Sequence, residues 1–110
     1  DARVSLDEID DPLVSELEQL QPCGEGNAEP RLLADPVTVS EARLVGNGHL
    51  RMRIADAAGG PPHEVIGFGM GHRAPEVGDL LRVVFVPEHN TYRGKTSIQL
   101  RLLDLAPSEA

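Results

Sequence analysis

The sequence predicts a mainly β domain that closes into a small barrel, with one short helix in front of it. Alternating apolar and polar residues recur in runs from residue 31 onward, and turns rich in Gly, Asn and Pro separate these runs. The chain has 110 residues, of which 40% are hydrophobic but only 3% aromatic. That length suits a single domain, and its core must be built from Val, Leu, Ile and Ala.

A short amphipathic helix is predicted near the N-terminus. The Asp11 carboxylate is expected to cap it, and Pro12 suits the first helical position. An apolar stripe follows at helical spacing, formed by Leu13, Leu17 and Leu20. Pro22 ends the helix and opens a connector, residues 22–30, whose Gly and Pro content fits neither helix nor strand.

The first predicted strand is long and bent. Its apolar residues occupy odd positions at Val37 and Val39 but even positions at Ala42 and Leu44. Because successive side chains of a strand point to opposite faces, this slip near Ser40 predicts a β-bulge.

The tight turn Gly46-Asn47-Gly48 then predicts a hairpin into the second strand. Clean alternation divides that strand into two faces. The apolar face comprises Leu50, Met52 and Ile54, and the polar face comprises His49, Arg51 and Arg53.

Three further strands are predicted, at residues 64–69, 80–86 and 96–105, with an irregular connection before the second of them. The strand at residues 80–86 is nearly all apolar around Arg82. We therefore expect it to be covered on both sides.

Five strands, a coiled first strand and a non-hairpin connection between the third and fourth strands predict a closed barrel in about 80 residues. The favoured architecture is the OB-fold, a five-stranded barrel that binds oligomers over strands 2 and 3 and the loops 1–2 and 4–5. An SH3-like barrel is the competing architecture. The predicted organisation is an acidic leader with the helix and connector, residues 1–30, followed by an OB-fold domain, residues 31–110.

The net charge of −8 has the wrong sign for an isolated nucleic-acid binder. The excess lies in the leader, where residues 1–30 hold nine acidic side chains and one basic side chain. Residues 31–110 hold nine of each. The body is therefore neutral with local basic clusters, and the leader can pair with a basic surface elsewhere in a longer chain.

The segment from Asn90 to Asp104 is the strongest candidate for a binding site. A polar loop with one aromatic residue, Tyr92, and two cations, Arg93 and Lys95, leads straight into the last strand. A ring that stacks on a base and cations that meet phosphates are the parts of a single-stranded nucleic-acid site. The alternative is a solvated hairpin tip with Tyr92 packed on the barrel.

The polar face of the second strand is a further candidate surface. His49, Arg51 and Arg53 share that face, and Gln99 and Arg101 are expected to point outward from the last strand. These side chains would form an electrostatic track for a nucleic-acid backbone. Alternatively, the arginines keep an exposed face soluble and pair with nearby acids.

No pattern predicts catalysis or a metal site. The four histidines show neither His-x-x-x-His nor Cys/His ligand spacing, and Cys23 has no evident activating base. A single cysteine allows no internal disulfide, no apolar run approaches about 20 residues, and no signal peptide opens the chain. We therefore expect a cytoplasmic protein without membrane contact. The start at Asp1 rather than Met suggests a segment of a longer protein.

The connector has a characteristic spacing of small and polar residues. The residues concerned are Leu20, Pro22, Gly24, Gly26, Asn27, Glu29 and Pro30. In this it resembles the C-terminal part of RecJ, the family of single-strand-specific DNA exonucleases, with the pattern Leu-x-Pro-Phe-Gly-x-Gly-Asn-Pro-Glu-Pro. The chain departs from that pattern at Cys23, where Phe is usual, and at Ala28, where Pro is usual.

Further positions along the chain fit the same family, so the resemblance extends from Leu13 to Leu105. They are Val45-Gly46, His49-Leu50-Arg51, Phe68-Gly69, Asn90-x-Tyr92-Arg93-Gly94, Gln99-Leu100 and Asp104.

The resemblance implies an OB-fold that lies beside the catalytic core of the same parent chain and helps to hold single-stranded DNA. It also implies that the parent is a bacterial-type 5′–3′ DNA exonuclease of repair and recombination, with Mn²⁺ or Mg²⁺ in Asp-His-His motifs. No such motif occurs in this sequence, so neither an enzyme activity nor a cofactor is predicted for the fragment itself. A single-strand-binding protein is a further candidate partner.

Two functions from different classes remain open. In the first, the chain binds and positions single-stranded DNA for a nuclease, which the Tyr92 loop and the face of Arg51 and Arg53 favour. In the second, it is a protein-interaction or scaffolding barrel without nucleic-acid contact. The net charge and the scarce aromatic residues favour the second function.

Overall fold

The structure is a computed structural model that describes residues 2–19 and 29–109. In chain order its elements are β1 (Ala2–Arg3), a 3-10 turn (Leu6–Glu8), α1 (Asp11–Gln19), β2 (Leu32–Val45), β3 (His49–Asp56), β4 (His63–Gly67), a second 3-10 turn (Gly71–Arg73), β5 (Leu80–Tyr92) and β6 (Lys95–Pro107). Apart from Glu29 and Pro30, the predicted connector lies outside the described residues, as do Leu20 and Cys23.

The strands form one sheet in the order β1-β2-β3-β4-β6-β5, and a further pairing of β2 with β5 closes it into a barrel. β4 pairs with β6 in parallel, whereas the other neighbours within the barrel are antiparallel. This is the strand order of an OB-fold. The prediction of a mainly β, five-stranded OB-fold barrel behind a short helix is therefore confirmed, and β1 adds a short parallel strand beside β2.

β2 bends because it pairs with two different strands, β5 and β3. Its first half pairs with β5 and its second half with β3. The register against β3 shifts between Val39 and Glu41, which confirms the bulge that the sequence predicts. A second shift, against β5 between Ala34 and Val37, has no counterpart in the sequence prediction.

The hairpin from β2 to β3 and the two faces of β3 also match the prediction. Val45 pairs with His49 across the turn, where Gly46 and Gly48 have φ values of 56° and 86°. Glycine adopts such left-handed conformations without steric cost. The residues of β3 that point into the barrel are fully buried, namely Leu50, Met52 and Ile54.

β5 departs from the sequence prediction in length and in coverage. It reaches Tyr92 instead of ending at Val86. The expectation that its apolar run is covered on both sides is wrong at the start, because Leu80 and Arg82 face solvent while Leu81 is buried. Only one face of the strand meets the core here. An unbroken apolar run was therefore not a reliable sign that both faces of the strand are buried. β4 likewise ends at Gly67, earlier than predicted.

The N-terminal segment packs on the barrel and contributes to the same core. Leu6, Ile9 and Val14 are buried in one cluster with the inward side chains of the strands. Asp10, rather than the predicted Asp11, caps α1, because its Oδ1 accepts the Leu13 N–H at 3.0 Å. Among residues 2–19 and 29–109, no helix is long and apolar enough to span a membrane.

The far half of β5 is the edge of a two-stranded ribbon with β6, since its pairing with β2 ends at Phe85. Alternate residues of such a strand direct their backbone N–H away from the partner. At this edge Pro87 has no N–H, and the N–H of His89 donates to Glu18 Oε2 of α1 at 3.0 Å.

Candidate nucleic-acid interface

A tight turn ends the ribbon of β5 and β6. Tyr92 pairs with Lys95, so Arg93 and Gly94 alone form the turn, with φ values of 52° and 77°. Positive φ at both positions is the geometry of a type I′ hairpin turn, whose twist matches that of the flanking strands. The ring and both cations of the predicted site therefore lie together at one hairpin tip.

Tyr92 projects into solvent rather than packing on the barrel. Its side chain is 64% exposed, and the guanidinium carbon of Arg93 lies 5.2 Å from its ring centroid. That distance is typical of a cation–π contact. A stacked arginine orients the ring, so Tyr92 is an accessible aromatic platform with a positive charge beside it.

The strand register places the tip and the last strand's polar residues on one face. Successive cross-strand pairs on this face are Tyr92 with Lys95, Asn90 with Ser97, Glu88 with Gln99, and Val86 with Arg101. At about 3.3 Å per residue, Gln99 lies about 13 Å along β6 from Lys95. The face of the ribbon is continuous with the outer surface of the barrel, as predicted for Gln99 and Arg101.

The arginines of β3 point outward as predicted, but carboxylates accompany them. Arg53 donates from Nε to Glu64 Oε1 at 2.8 Å and lies 3.7 Å from Glu41. Arg51 lies 4.0 Å from Glu64. The predicted electrostatic track on β3 is thus largely balanced by neighbouring acids, which is the alternative that the sequence left open.

Arg101 is withdrawn from solvent further than expected. Its guanidinium bonds to Glu29 and to Glu88, and its side chain is 23% exposed. The flanking outward residues of the same cross-strand row, Ile66 and Val86, are buried. Because Glu29 holds one side of the guanidinium, a phosphate would have to displace a carboxylate to reach Arg101.

Three cations near this surface have no carboxylate within ion-pair distance among the described residues. They are Arg43, Arg93 and Lys95. Two of them, Arg93 and Lys95, belong to the ribbon tip, so the predicted Tyr92 cluster carries two positive charges without a carboxylate partner among the described residues.

Phe68 is an exposed aromatic residue that the sequence analysis did not single out as a site. It follows β4 directly, and its side chain is 61% exposed. Its ring meets the His49 ring edge-on, with centroids 5.5 Å apart. The signal was available: Phe68 alternates in phase with Glu64 and Ile66, which predicts an outward direction.

Arg43 was also missed. It pairs directly with Arg51 across β2 and β3, on the outer face of the barrel. The predicted hairpin at residues 46–48 was sufficient to deduce that register, because pairing Val45 with His49 sets Arg43 opposite Arg51.

A cleft of about 490 Å³ lies on a different part of the surface, between the N-terminal segment and the loop after β3. Its charged lining comprises Arg3, Asp7, Glu8, Asp35 and Asp56. Excess carboxylates make it unsuitable for a phosphate backbone. The described part of the chain also holds no group of three or more His, Cys, Asp or Glu side chains placed for a metal ion.

His89 joins the ribbon to α1 behind the tip. Its Nδ1 lies 2.7 Å from Glu18 Oε1, and its Nε2 lies 3.0 Å from Asp11 Oδ1. The hydrogen bond to Glu18, followed by that to Asp11, raises the pKa of His89 above 6.5. The backbone N–H of His89, followed by its ring, lowers the pKa of Glu18 below 4.5.

Comparison with protein families shows that the model of the RecJ OB domain matches residues 1–104. A sequence comparison with curated proteins gives no match.

Two similar solved structures are crystal structures of RecJ from Thermus thermophilus, in complex with Mn²⁺ and with Mg²⁺. Both are 29% identical and cover 89% of this chain, with TM-scores of 0.67 and 0.62. The chain spans only 14% and 15% of the length of those RecJ chains.

A third similar structure is Rim1, a mitochondrial single-stranded DNA binding protein from S. cerevisiae. It is 11% identical, has a TM-score of 0.52, and the match covers 71% of this chain and 94% of Rim1. At that identity the likeness supports the OB-fold alone.

Proposed function

Because the chain belongs to the RecJ OB-domain family, we propose that it binds and positions single-stranded DNA for a nuclease core elsewhere in its parent protein. The observation that carries the proposal is the ribbon tip. There Tyr92 is 64% exposed, and Arg93 and Lys95 lie beside it. An aromatic platform flanked by cations is how OB-folds hold unpaired bases without reading their sequence.

The tip suits single strands better than duplexes. In a duplex the faces of the bases are stacked on one another, whereas a single strand can place a base on the Tyr92 ring. Arg93 and Lys95 then meet the adjacent phosphates. Gln99 and Arg101 lie further along the same face. There a phosphate of the DNA replaces the Glu29 carboxylate on the Arg101 guanidinium.

The proposal extends to the parent by way of the family. We propose that the parent is a metal-dependent 5′–3′ single-strand-specific DNA exonuclease of repair and recombination, acting in the cytoplasm with Mn²⁺ or Mg²⁺. Its catalytic core and a single-strand-binding protein are the proposed protein partners. The chain's own part is to bind the strand, so that an unpaired end reaches the core and a duplex does not follow.

Titration of the 110-residue chain with fluorescent oligo-dT at several salt concentrations tests the proposal. We expect weak, salt-sensitive binding, with log K falling by about 0.7 per phosphate contact for each unit of log salt. Tyr92→Ala should weaken binding by about 1–3 kcal/mol, the value of one base–aromatic stack. Arg93→Ala should reduce the salt slope by about 0.7.

Arg82→Ala is a matched control for charge, since Arg82 is an exposed arginine of β5 outside the ribbon tip. It should leave the affinity unchanged. No binding at low salt, or equal losses in Arg82→Ala and Arg93→Ala, would contradict a dedicated site at the tip.

A protein-interaction barrel is the second candidate function. The balanced ion pairs on β3 favour it, because Glu41 and Glu64 leave little net charge beside Arg53. Under that function the wild type binds no DNA, so the tip variants cannot differ from it in the titration. The same titration therefore separates the two functions.

A further inference from the structure

We propose that Phe68, His49, Arg43 and Arg51 form a second nucleotide subsite, in which Phe68 stacks on a base and the two arginines bind a phosphate. The inference rests on the proposed function and deepens it. The ribbon tip and this corner then hold one DNA strand at two separate points.

The backbone that carries Phe68 is held by hydrogen bonds, while the ring of Phe68 remains open to solvent and contacts the His49 ring edge-on. The Gly69 N–H donates to His49 Nδ1 at 2.9 Å, and the Gly71 N–H donates to the Gly48 carbonyl at 2.8 Å. A Cβ on Gly71 would lie 2.8 Å from that carbonyl oxygen, so this close approach requires glycine. Because this backbone is already ordered, less conformational entropy is lost when a base stacks on the ring that it carries.

Arg43 and Arg51 have fewer carboxylate partners than two adjacent arginines need for charge balance. Arg43 lies directly opposite Arg51, and like charges directly opposite one another destabilise a sheet. Among the described residues Arg43 has no carboxylate within ion-pair distance, and Arg51 has only Glu64, at 4.0 Å. Glu64 bonds to Arg53 more closely, at 2.8 Å. A phosphate between the arginines removes the repulsion and gains charge-assisted hydrogen bonds.

A cleft of about 370 Å³ lies at this place. It is lined by Glu41, Arg43, Arg51, Met52, Arg53 and Glu64. Its three arginines outnumber its two glutamates, so the cleft has a positive excess. It also places the phosphate beside the ring, because Arg51 pairs with Ile66 and Phe68 is the next outward residue after Ile66. Such diagonal neighbours are about 7–8 Å apart, within the span of one nucleotide.

The chemistry of the corner favours a nucleic acid over a protein as its occupant. An exposed aromatic ring alone suits either. Two adjacent arginines with too few carboxylates also favour an anionic ligand. Each nucleotide of single-stranded DNA supplies both a base and a phosphate. The corner also lies on the same outer surface as the proposed site, about 25 Å from the ribbon tip at the rise of a strand.

The composition of the chain allows each subsite to be observed alone. Tyr92 is its only tyrosine and it contains no tryptophan, so Phe68→Trp introduces a unique second fluorophore. Oligo-dT of about 15 nucleotides, within the range of site sizes for an OB-fold, should quench Tyr92 in the wild type and the introduced tryptophan in the variant. Both signals should saturate at the same oligonucleotide concentration.

Affinity measurements with the same oligonucleotide complete the test. Phe68→Ala should weaken binding by about tenfold, and Phe68→Tyr should restore it because the aromatic face returns. Arg43→Ala should reduce the salt slope by about 0.7. Val77→Ala is the matched control, since Val77 is an apolar side chain with 67% exposure. It should bind as the wild type does.

The outcomes distinguish this inference from the proposed function. If Tyr92 is quenched but the tryptophan at position 68 is not, and Phe68→Ala binds normally, the second subsite is refuted while the ribbon tip stands. If oligo-dT changes neither signal, both are refuted. Equal losses in Phe68→Ala and Val77→Ala would show a general effect of apolar surface and would also refute the subsite.

Discussion

Arg93 occupies a backbone conformation that most side chains avoid. Its φ of 52° lies in the left-handed region, where Asn and Gly are the favoured residues of a type I′ turn. The chain thus has a charged residue at a position where Asn would be more stable. A role in binding accounts for arginine at this position, because its guanidinium contacts the Tyr92 ring and is placed to bind a phosphate in the proposed site.

Arg93→Asn separates stability from binding. The change should raise the free energy of unfolding by up to about 1 kcal/mol, because Asn-Gly suits the turn, and it should weaken the binding of oligo-dT. Urea unfolding and the fluorescence titration measure the two effects. Arg31→Asn is the control, an exposed arginine outside the strands and without positive φ. A loss of stability in Arg93→Asn would show that the contact with Tyr92 outweighs the cost of the turn.

α1 and the ribbon are joined at His89, close to the proposed DNA contact. The ring reaches Glu18 at one nitrogen and Asp11 at the other, with 20% of its side chain exposed. The helix therefore supports the ribbon from the side opposite to the Tyr92 face. This contact links the acidic leader to the element that carries the tip.

The His89 contact should make stability depend on pH in a defined direction. Because the pKa of His89 is raised, its contribution is complete below pH 6.5 and is lost as the pH rises through the raised value. Because the pKa of Glu18 is lowered, its contribution is present above pH 4.5 and is lost as the pH falls through the lowered value. The contact between His89 and Glu18 therefore contributes most to stability between pH 4.5 and pH 6.5.

His89→Gln tests that dependence by urea unfolding at several pH values. The difference in unfolding free energy between wild type and variant should be about 0.5–1 kcal/mol near pH 5.5 and should shrink as the pH rises through the raised pKa of His89. His72→Gln, at an exposed histidine of the second 3-10 turn, is the control and should show a smaller difference. A difference that grows with pH would contradict the assignment.

At the scale of elements, local patterns predicted more than long-range contacts. The faces of β3 and the bulge near Ser40 follow from alternation within a few residues, so the sequence sufficed. The pairing of Arg101 with Glu29 joins residues 72 positions apart, and that of His89 with Glu18 joins residues 71 apart. No local sequence pattern contains such contacts, so the sequence analysis did not predict that Glu29 would bind the Arg101 guanidinium.

The candidate site shows the same division. The aromatic and cationic tip was predicted, because its residues are adjacent in sequence and the turn itself brings them together. Phe68 and Arg43 were missed, because their importance comes from neighbours on other strands. Their outward direction could have been deduced, but not the close contact between the second 3-10 turn and the β2–β3 hairpin that holds Phe68 in place.

At the scale of the whole molecule, the acidic leader is more than a carrier of charge. Its Leu6, Ile9 and Val14 lie in the same hydrophobic cluster as the barrel strands. Asp56, at the end of β3, accepts the N–H of Leu6 at 2.9 Å. The fold therefore needs the N-terminal segment for a complete core.

Leu6→Ala should expose that dependence. Leu6 is fully buried, so the truncation should cost about 2–4 kcal/mol of unfolding free energy in urea or thermal unfolding. Leu44→Ala is the control, because Leu44 is 63% exposed and its truncation should change stability by less than about 0.5 kcal/mol. A near-neutral Leu6→Ala would mean that the leader is dispensable for the barrel.

The open edge of β5 has a consequence for how molecules of this chain meet one another. An unpaired strand edge normally invites a second chain to add its own strand, and sheets can grow into aggregates in this way. Here Pro87 offers no donor and Glu18 already occupies the donor of His89. Addition of a second strand is therefore disfavoured at these two positions, and this part of the ribbon can extend from the barrel without pairing with another chain.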